Sequence, residues 1–174
     1  MIDLSTDLPD TVTVDGKSYL VKTDFREWLK FYFIINKGNA TLKDLFYLFV
    51  DEIPQTDFSE AVLEFYSNPN TVPNFNDTSD EVSLDYMIDS EYIYASFMAV
   101  YGIDLFEVDM HWHKFKALLI GLPDDSKIKQ IMAERLWKPS NKKPDDIARE
   151  NKRAWSIPKE YDKETLEEIN NFFG

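Results

Sequence analysis

The sequence offers few residues for metal or thiol chemistry, since it has two histidines and no cysteine. His111 and His113 are two positions apart, and in a helix such residues point about 200° away from each other. One helix therefore cannot bring both imidazoles to one ion, and a zinc site needs three or four ligands. We predict that His111 is a core or boundary residue with its hydrogen bonds satisfied, and that the protein binds no metal and no other cofactor.

Three pairs of adjacent carboxylates are the remaining candidates for acid–base chemistry: Asp51-Glu52, Asp80-Glu81 and Asp124-Asp125. A carboxylate serves as general acid or base only where an apolar pocket raises its pKa. Asp124-Asp125 stands just before a predicted helix, where capping residues are expected. The glycine patterns that bind phosphate or present a nucleophilic serine are absent from the sequence. We predict that the protein is not an enzyme.

The charge is acidic and unevenly distributed. The net charge is −13, and the span from Asp44 to His113 has fifteen acidic residues and no lysine or arginine. From Lys114 to Lys159 there are twelve basic and six acidic residues. An acidic chain is a poor binder of nucleic acid, because phosphate contacts need clustered basic residues. The segregation fits either helix layers of complementary charge or a dipolar surface used in assembly.

The elements that would position a site begin with a β-hairpin in residues 11–21, TVTVDGKSYLV. Asp15-Gly16 between two β-branched runs is typical of a two-residue type I′ turn. This turn sets Val12 opposite Tyr19 and Val14 opposite Lys17. We predict that the hairpin packs on helices, because an isolated hairpin is marginally stable in water.

Helical spacing of apolar residues predicts helices over 25–37, 42–53, 58–66 and 124–137. The densest apolar stretch, residues 85–123, predicts two more helices joined by a short turn at residues 102–104. The first of these is apolar on two sides, one side comprising Ile88, Tyr92, Ala95 and Ala99 and the other Ile93, Phe97 and Tyr101. Such a helix is expected inside a bundle. We therefore predict a mainly α fold, a helical bundle around a central antiparallel helix hairpin, with a short N-terminal β-hairpin.

The composition predicts a single helical domain over residues 1–137, followed by a hinge and a C-terminal helical arm over residues 138–174. Two prolines interrupt residues 138–146, and the last segment places Tyr161, Leu166, Ile169 and Phe173 at near-helical spacing. Large aromatic residues within polar segments are the candidate protein-binding residues: Phe75, Trp137 and Trp155. Each of them could equally cap the core.

Most of the chain resembles the bacteriophage Gp15 family. The resemblance is carried by residues 1–31, by the block 85–128 and by IMAERL at 131–136, and it extends from Met1 to about Lys159. Within the block, IYASF at 93–97, YGIDL at 101–105 and the run from His111-Trp112 to Pro123 are the most specific parts. The sequence departs from the family at His113, where a second aromatic residue is common, and in its acidic tail after Lys159.

The resemblance implies a small protein of tailed phages and prophages of Gram-positive bacteria, encoded between the tail-tube and tape-measure genes. Tail assembly chaperones of long-tailed phages are encoded there. The implied function is therefore to keep the long, helical tape-measure protein soluble while tube subunits assemble, in the host bacterial cytoplasm. The implied partner is the tape-measure protein; the tail-tube protein and a second copy of the chain are left open. The family supplies no catalytic residues.

Two other functions remain compatible with the sequence. One is a minor structural tail or connector subunit of the virion. The other is a host-directed regulator that binds a bacterial protein through the acidic span and mimics nucleic acid. We expect no membrane association, because no apolar run approaches the roughly 20 residues that span a bilayer and residues 1–10 lack the pattern of a secretory signal.

Overall fold

The computed structural model describes residues 4–67, 82–139 and 146–158. These residues contain two β-strands, six α-helices and one 3₁₀ helix, so the mainly α class with an N-terminal β-hairpin is confirmed. The strands are β1 (Thr11–Val14) and β2 (Lys17–Leu20). The α-helices are α1 (Phe25–Asn36), α2 (Ser59–Ser67), α3 (Ser90–Tyr101), α4 (Trp112–Ile120), α5 (Lys127–Leu136) and α6 (Asp146–Ala154).

The chain divides into two compact units, each built from two stretches of sequence. The first unit takes its described residues from Met1–Asn76 and Asp109–Ile120, and it holds the hairpin with α1, α2 and α4. The second unit takes its described residues from Asp77–Val108 and Gly121–Gly174, and it holds α3, α5 and α6. The predicted domains, 1–137 and 138–174, are each continuous in sequence, whereas each compact unit combines two stretches. The predicted domains stay a prediction.

The β-hairpin has the predicted turn and register. Asp15 and Gly16 have φ angles of 50° and 77°, the left-handed values that a type I′ turn requires at both positions. Val12 pairs with Tyr19 and Val14 with Lys17. The side chains of Val12 and Val14 are buried, which fixes the inner face of the hairpin.

The helix predicted over residues 42–53 is shorter than expected. A 3₁₀ helix covers Leu42–Leu48 and opens with a capping box between Thr41 and Asp44. The chain then becomes extended, because the N–H of Val50 donates to the carbonyl of Leu20 at 3.1 Å. This bond and the Val21–Phe49 bridge pair the chain with the end of β2, so tertiary pairing overrides helical spacing here.

Aromatic packing holds α1, α2 and α4 together in the first unit. The rings of Phe25 and Phe115 stack at 4.8 Å, and those of Trp28 and Phe65 stack at 4.5 Å. The main chain adds an antiparallel contact just before α1 and α4, where the N–H of Trp112 donates to the carbonyl of Thr23 at 2.7 Å. The start of α4 is thereby fixed against α1.

The core of the second unit lies between α3 and α5. Ile93 and Phe97 of α3 and Ile128 and Ile131 of α5 are all buried. The connection from α3 to α4 is longer than the predicted turn, since α4 begins only at residue 112. Each of these two helices packs within its own unit, α4 with α1 and α3 with α5.

A candidate protein-binding surface on helix α3

Helix α3 has apolar residues on more than one side, but only one side is buried. Ile93, Ser96 and Phe97 face the core of the second unit. Most of the opposite side is exposed, and we call it the α3 outer face; it consists of Ile88 in the preceding turn with Ala95, Met98 and Ala99, which are exposed, and Tyr92, which is half-buried. The exposed Glu91 lies on the same side, four residues before Ala95 and seven before Met98. The prediction that both sides of this helix are buried is wrong for the outer face. An apolar helix side that stays exposed is a surface that can receive another helix.

The two ends of α3 are fixed by local hydrogen bonds. Before the helix, one carboxylate oxygen of Asp85 accepts the N–H groups of Met87 and Ile88 at 2.9 and 3.0 Å. This turn places Ile88 in line with the outer face. After the helix, Gly102 adopts φ 63° and its N–H donates to the carbonyl of Met98. Glycine adopts this left-handed conformation without steric cost, so the helix ends there.

An exposed aromatic side chain lies in the loop that follows α3. Phe106 is 75% exposed, and its ring contacts that of Tyr94 at 5.1 Å. Asp104 orients both residues: one carboxylate oxygen accepts the N–H of Phe106 at 2.9 Å and the other accepts the Tyr94 hydroxyl at 3.4 Å. The loop after α3 therefore holds an aromatic side chain at the surface in a defined position.

The chemistry of this surface is that of apolar contact. Within α3 the only charged residue is Glu91, which lies next to Ala95 and Met98 on this side, so a partner would meet alanine, methionine and tyrosine side chains and one carboxylate. Met98 is 38% exposed, and methionine adapts to differently shaped partners because it is unbranched and polarizable. Alanine at positions 95 and 99 allows a second helix to approach closely. The surface suits an amphipathic helix of a partner.

A buried ion pair supports the base of α3. Arg135 is 5% exposed and Asp89 is 1% exposed, and they form two hydrogen bonds of 2.6 and 2.8 Å. Arg135 also donates to the carbonyls of Ser83 at 3.0 Å and Trp155 at 2.6 Å. The sequence interpretation missed this pair because its members are 46 residues apart. The sequence signal that could have revealed the pair is Arg135 itself, which lies on the same side of α5 as Ile128 and Ile131.

The three predicted protein-binding residues have different surroundings. Phe75 lies outside the described residues. Trp137 is half-buried, and its carbonyl accepts a hydrogen bond from Lys152 at 2.9 Å. Trp155 is also half-buried; its ring meets that of Tyr92 edge-on at 5.6 Å, with the ammonium of Lys127 at 4.7 Å from its centre. Trp155 therefore borders the α3 outer face, whereas no hydrogen bond or ring contact between Trp137 and this face is found among the described residues. Their binding role stays a prediction.

Both histidines form hydrogen bonds within the first unit, as predicted for His111. His111 Nδ1 accepts the N–H of His113 at 3.0 Å, so its Nε2 carries the proton and donates to the carbonyl of Pro9 at 2.9 Å. His113 Nε2 donates to the carbonyl of Phe65 at 2.8 Å. Tyr66, the next residue of α2, accepts hydrogen bonds through its carbonyl from Trp112 and Lys116. Side chains of α4 thus cap the C-terminal carbonyls of α2.

Acidification is expected to destabilise the first unit through His113. Burial lowers the pKa of His113 from 6.5 to about 4, so the unfolded chain binds this proton more readily than the folded protein. Stability from this residue is complete above pH 6.5 and is lost as the pH falls from 6.5 to 4, by about 2–3 kcal/mol. Urea denaturation at pH 7.5, 6.0 and 5.0 measures it.

His113→Gln provides the control for this pH dependence. Glutamine keeps an N–H donor for the carbonyl of Phe65 but does not titrate. The variant is expected to lose less stability than the wild type over the same pH range. Burial also lowers the pKa of His111, so some dependence remains in the variant. An unchanged pH profile in His113→Gln would contradict the assignment.

The carboxylate pairs show no arrangement for catalysis in the part of the chain that the structure describes. Glu52 forms an exposed ion pair with Lys17 at 2.5 Å. The pair Asp80-Glu81 lies outside that part. The N-cap of α5 is Ser126, one residue after the predicted capping pair Asp124-Asp125. Within the described residues there is no group of three potential metal ligands and no helix long and apolar enough to cross a membrane.

Comparison with known proteins identifies the family. The family model described as Bacteriophage Gp15 protein matches residues 4–162. No match was found among curated proteins or among solved structures. The matched region includes all the described elements of both units, and with them the α3 outer face. The chain belongs to the bacteriophage Gp15 protein family.

Proposed function

We propose that this phage protein is a tail assembly chaperone that keeps the tape-measure protein soluble in the host bacterial cytoplasm during tail-tube assembly. The α3 outer face is the observation that carries the proposal. It is a largely exposed and mainly apolar helix face on a firmly anchored helix, as capture of an amphipathic helical client requires. The proposed role is binding, without an enzymatic step.

The charge distribution supports the same role. Helix α3 lies within the span that has no lysine or arginine, and the whole chain has a net charge of −13. A high net charge of one sign keeps copies of the chaperone apart through mutual repulsion. The apolar face can then stay exposed to a client without causing self-association. Basic residues of a client next to its apolar face would gain from the acidic surroundings.

The buried ion pair contributes by keeping the face rigid. A preorganised helix loses little conformational entropy when a client binds, so more of the contact energy appears as affinity. Arg135 connects α5 to the start of α3 through Asp89, and Asp89 also accepts the N–H of Asp85 at 2.9 Å. Ile88 and Tyr92 are thereby held at the end of α3 that Trp155 borders.

Co-expression with a tape-measure fragment tests the function. The wild-type protein is expected to copurify with the fragment and to raise its soluble yield. Met98→Glu is expected to lower the copurified amount by tenfold or more, because it places an unpaired charge in the apolar contact. If the wild type neither copurifies with the fragment nor increases its solubility, the proposed function is wrong.

Leu63→Glu is the matched control for the surface. Leu63 is an exposed apolar residue of α2, and the substitution adds the same charge to the first unit. Binding within twofold of the wild type is expected. Equal loss of binding in both variants, or in neither, would show that the α3 outer face is not the client site.

Mass spectrometry of purified phage particles separates this function from a structural one. A chaperone is expected to be absent from mature virions, because it dissociates as the tube forms. Detection at a constant number of copies per particle would instead support a minor tail or connector subunit.

A further inference from the structure

The outer edge of strand β1 is the side that faces away from β2. The N–H of Val21 donates to the carbonyl of Asp10 at 2.8 Å, so these two residues form a hydrogen-bonded pair across the hairpin. Hydrogen-bonded and non-hydrogen-bonded pairs alternate in an antiparallel ladder, so the N–H and C=O groups of Thr11 and Thr13 point away from β2. No described residue forms a hydrogen bond with these four main-chain groups. Such an edge can pair with another strand.

The other edge of the hairpin, along β2, is already partly occupied. The N–H of Val50 donates to the carbonyl of Leu20 at 3.1 Å, and the N–H of Lys22 donates to the carbonyl of Leu48 at 2.8 Å. A strand added beside β2 would meet residues 48–50. Of the two edges, that of β1 is therefore the one that can take a new strand along its whole length within the described chain.

Exposed carboxylates stand at both ends of β1. Asp10 directly precedes the strand, and Asp15 follows it in the turn. The hydroxyl of Thr56 donates to the carboxylate of Asp15 at 2.7 Å and holds it in place. Lys17, the closest basic residue in the sequence, is already paired with Glu52 at 2.5 Å. Opposite charges on neighbouring strands stabilise their pairing, so this edge favours a strand with a cation at each end.

We propose that the outer edge of β1 binds an extended segment of another protein, a short β-branched stretch with a lysine or arginine at each end. The segment adds a third strand to the hairpin, held by the outward main-chain groups of Thr11 and Thr13. Its two cations pair with Asp10 and Asp15. The site is separate from the proposed function, because it belongs to the first unit and takes a strand, whereas the α3 outer face belongs to the second and takes a helix.

A second copy of this chain is a poor occupant of the same edge. Antiparallel pairing of β1 with β1 of another copy would bring Asp10 of one copy close to Asp15 of the other, at both ends of the pair. Like charges on neighbouring strands oppose pairing, and each chain has a net charge of −13. The two carboxylates therefore discourage self-pairing, as charged residues on edge strands do, and select a basic partner.

The alternation of side chains along β1 defines the preferred sequence of the segment. The two valines of β1 are buried, and its two threonines are exposed. Residues opposite each other on neighbouring strands share a face, so the segment needs apolar residues opposite the valines and polar residues opposite the threonines. Asp10 and Asp15 are five positions apart, which sets the spacing of the two cations. The hexapeptide KVTVTK has this pattern.

Titration of the isotope-labelled full-length protein with acetyl-KVTVTK-amide, followed by NMR, tests the proposal. A Kd of about 1 mM or below is expected from a few main-chain hydrogen bonds and two exposed ion pairs. The amide protons of Thr11 and Thr13 are expected to exchange quickly with water in the free protein and at least about fivefold more slowly with peptide bound. No binding at about 10 mM peptide, or binding without slower exchange at these amides, would overturn the proposal. Slow exchange there in peptide-free dimers would overturn it in favour of a second copy.

Two matched peptides separate the main-chain bonds from the charges. N-methylation of both threonines of KVTVTK removes the N–H groups that face β1 and is expected to weaken binding about tenfold or more. The peptide EVTVTE keeps the β-branched stretch but reverses the terminal charges, and it is also expected to bind about tenfold more weakly or less. If either peptide binds as tightly as KVTVTK, the proposal is wrong.

A charge-neutralising variant tests the acidic ends of the edge. Asp10→Asn with Asp15→Asn removes both charges and keeps the turn, because Asn-Gly also favours a type I′ turn. It is expected to weaken the binding of KVTVTK about fivefold or more. Asp124→Asn with Asp125→Asn is the matched control, since it removes two exposed charges from the second unit, and its affinity is expected to stay within about twofold of the wild type. Equal weakening in both variants, or in neither, would overturn the proposed site.

Discussion

Arg135→Met is expected to lower the free energy of unfolding by about 3–5 kcal/mol, because it leaves the buried carboxylate of Asp89 without its counter-charge. Asp89 is 1% exposed, so water cannot replace the guanidinium. Methionine keeps an unbranched apolar stem but has no hydrogen-bond donor. The carbonyls of Ser83 and Trp155 lose their bonds to Arg135 as well. Urea denaturation followed by circular dichroism measures the loss.

The geometry of the pair explains why the residue must be arginine. Nη1 and Nη2 bind the two oxygens of Asp89, Nη1 also binds Ser83, and Nε binds Trp155. A guanidinium presents donors in several fixed directions, whereas the ammonium of lysine is a single point of charge. Arg135→Lys is therefore expected to recover only part of the lost stability.

A control variant and a double variant test whether the loss of stability comes from the buried charge. Arg149→Met removes an exposed pair with Asp146 at 3.8 Å and is expected to change stability by less than about 0.5 kcal/mol. The double variant Asp89→Leu/Arg135→Met removes both charges and is expected to be more stable than Arg135→Met alone. A cost below about 1 kcal/mol for Arg135→Met, or a double variant that is less stable than the single one, would contradict the role of the pair.

The β-hairpin shows where local sequence is sufficient. Asp15-Gly16 adopts two positive φ angles at low cost, so the turn type and the register follow from two adjacent residues. The predicted helix over 42–53 shows the opposite case. Its spacing is helical, yet Val50 and Phe49 pair with the end of β2 instead. Such pairing depends on residues about 30 positions away, which a local pattern does not contain.

The apolar pattern of the α3 outer face was predictable from the sequence, but its exposure was not. Ile88, Tyr92, Ala95 and Ala99 stand out in the sequence as an apolar side of a helix. A helix side that packs in the core and a helix side that binds a partner have the same spacing of apolar residues, because both are shielded from water once they are packed or bound. Only the packing of α5 against Ile93 and Phe97 shows which side of α3 is covered.

Trp112→Ala is expected to lower the free energy of unfolding by about 3–5 kcal/mol, as large-to-small substitutions of buried aromatic residues do. Trp112 is fully buried, with its ring stacked on Tyr66 at 5.1 Å and on Phe115 at 5.8 Å. Its Nε1 donates to the carbonyl of Tyr66 at 2.9 Å. The substitution therefore removes ring contacts and one of the bonds that hold the end of α2. Urea denaturation at pH 7.5 measures it.

Phe106→Ala and Trp112→Phe separate the contributions of burial and of the hydrogen bond to this loss. Phe106 is an aromatic residue that remains mostly exposed, so Phe106→Ala is expected to cost less than about 1 kcal/mol. Trp112→Phe keeps an aromatic ring but removes the N–H, and is expected to cost less than Trp112→Ala. The carbonyl of Tyr66 still receives a bond from Lys116, so it is not left without a donor. Equal costs for Trp112→Phe and Trp112→Ala would assign the stability to the hydrogen bond and contradict the packing argument.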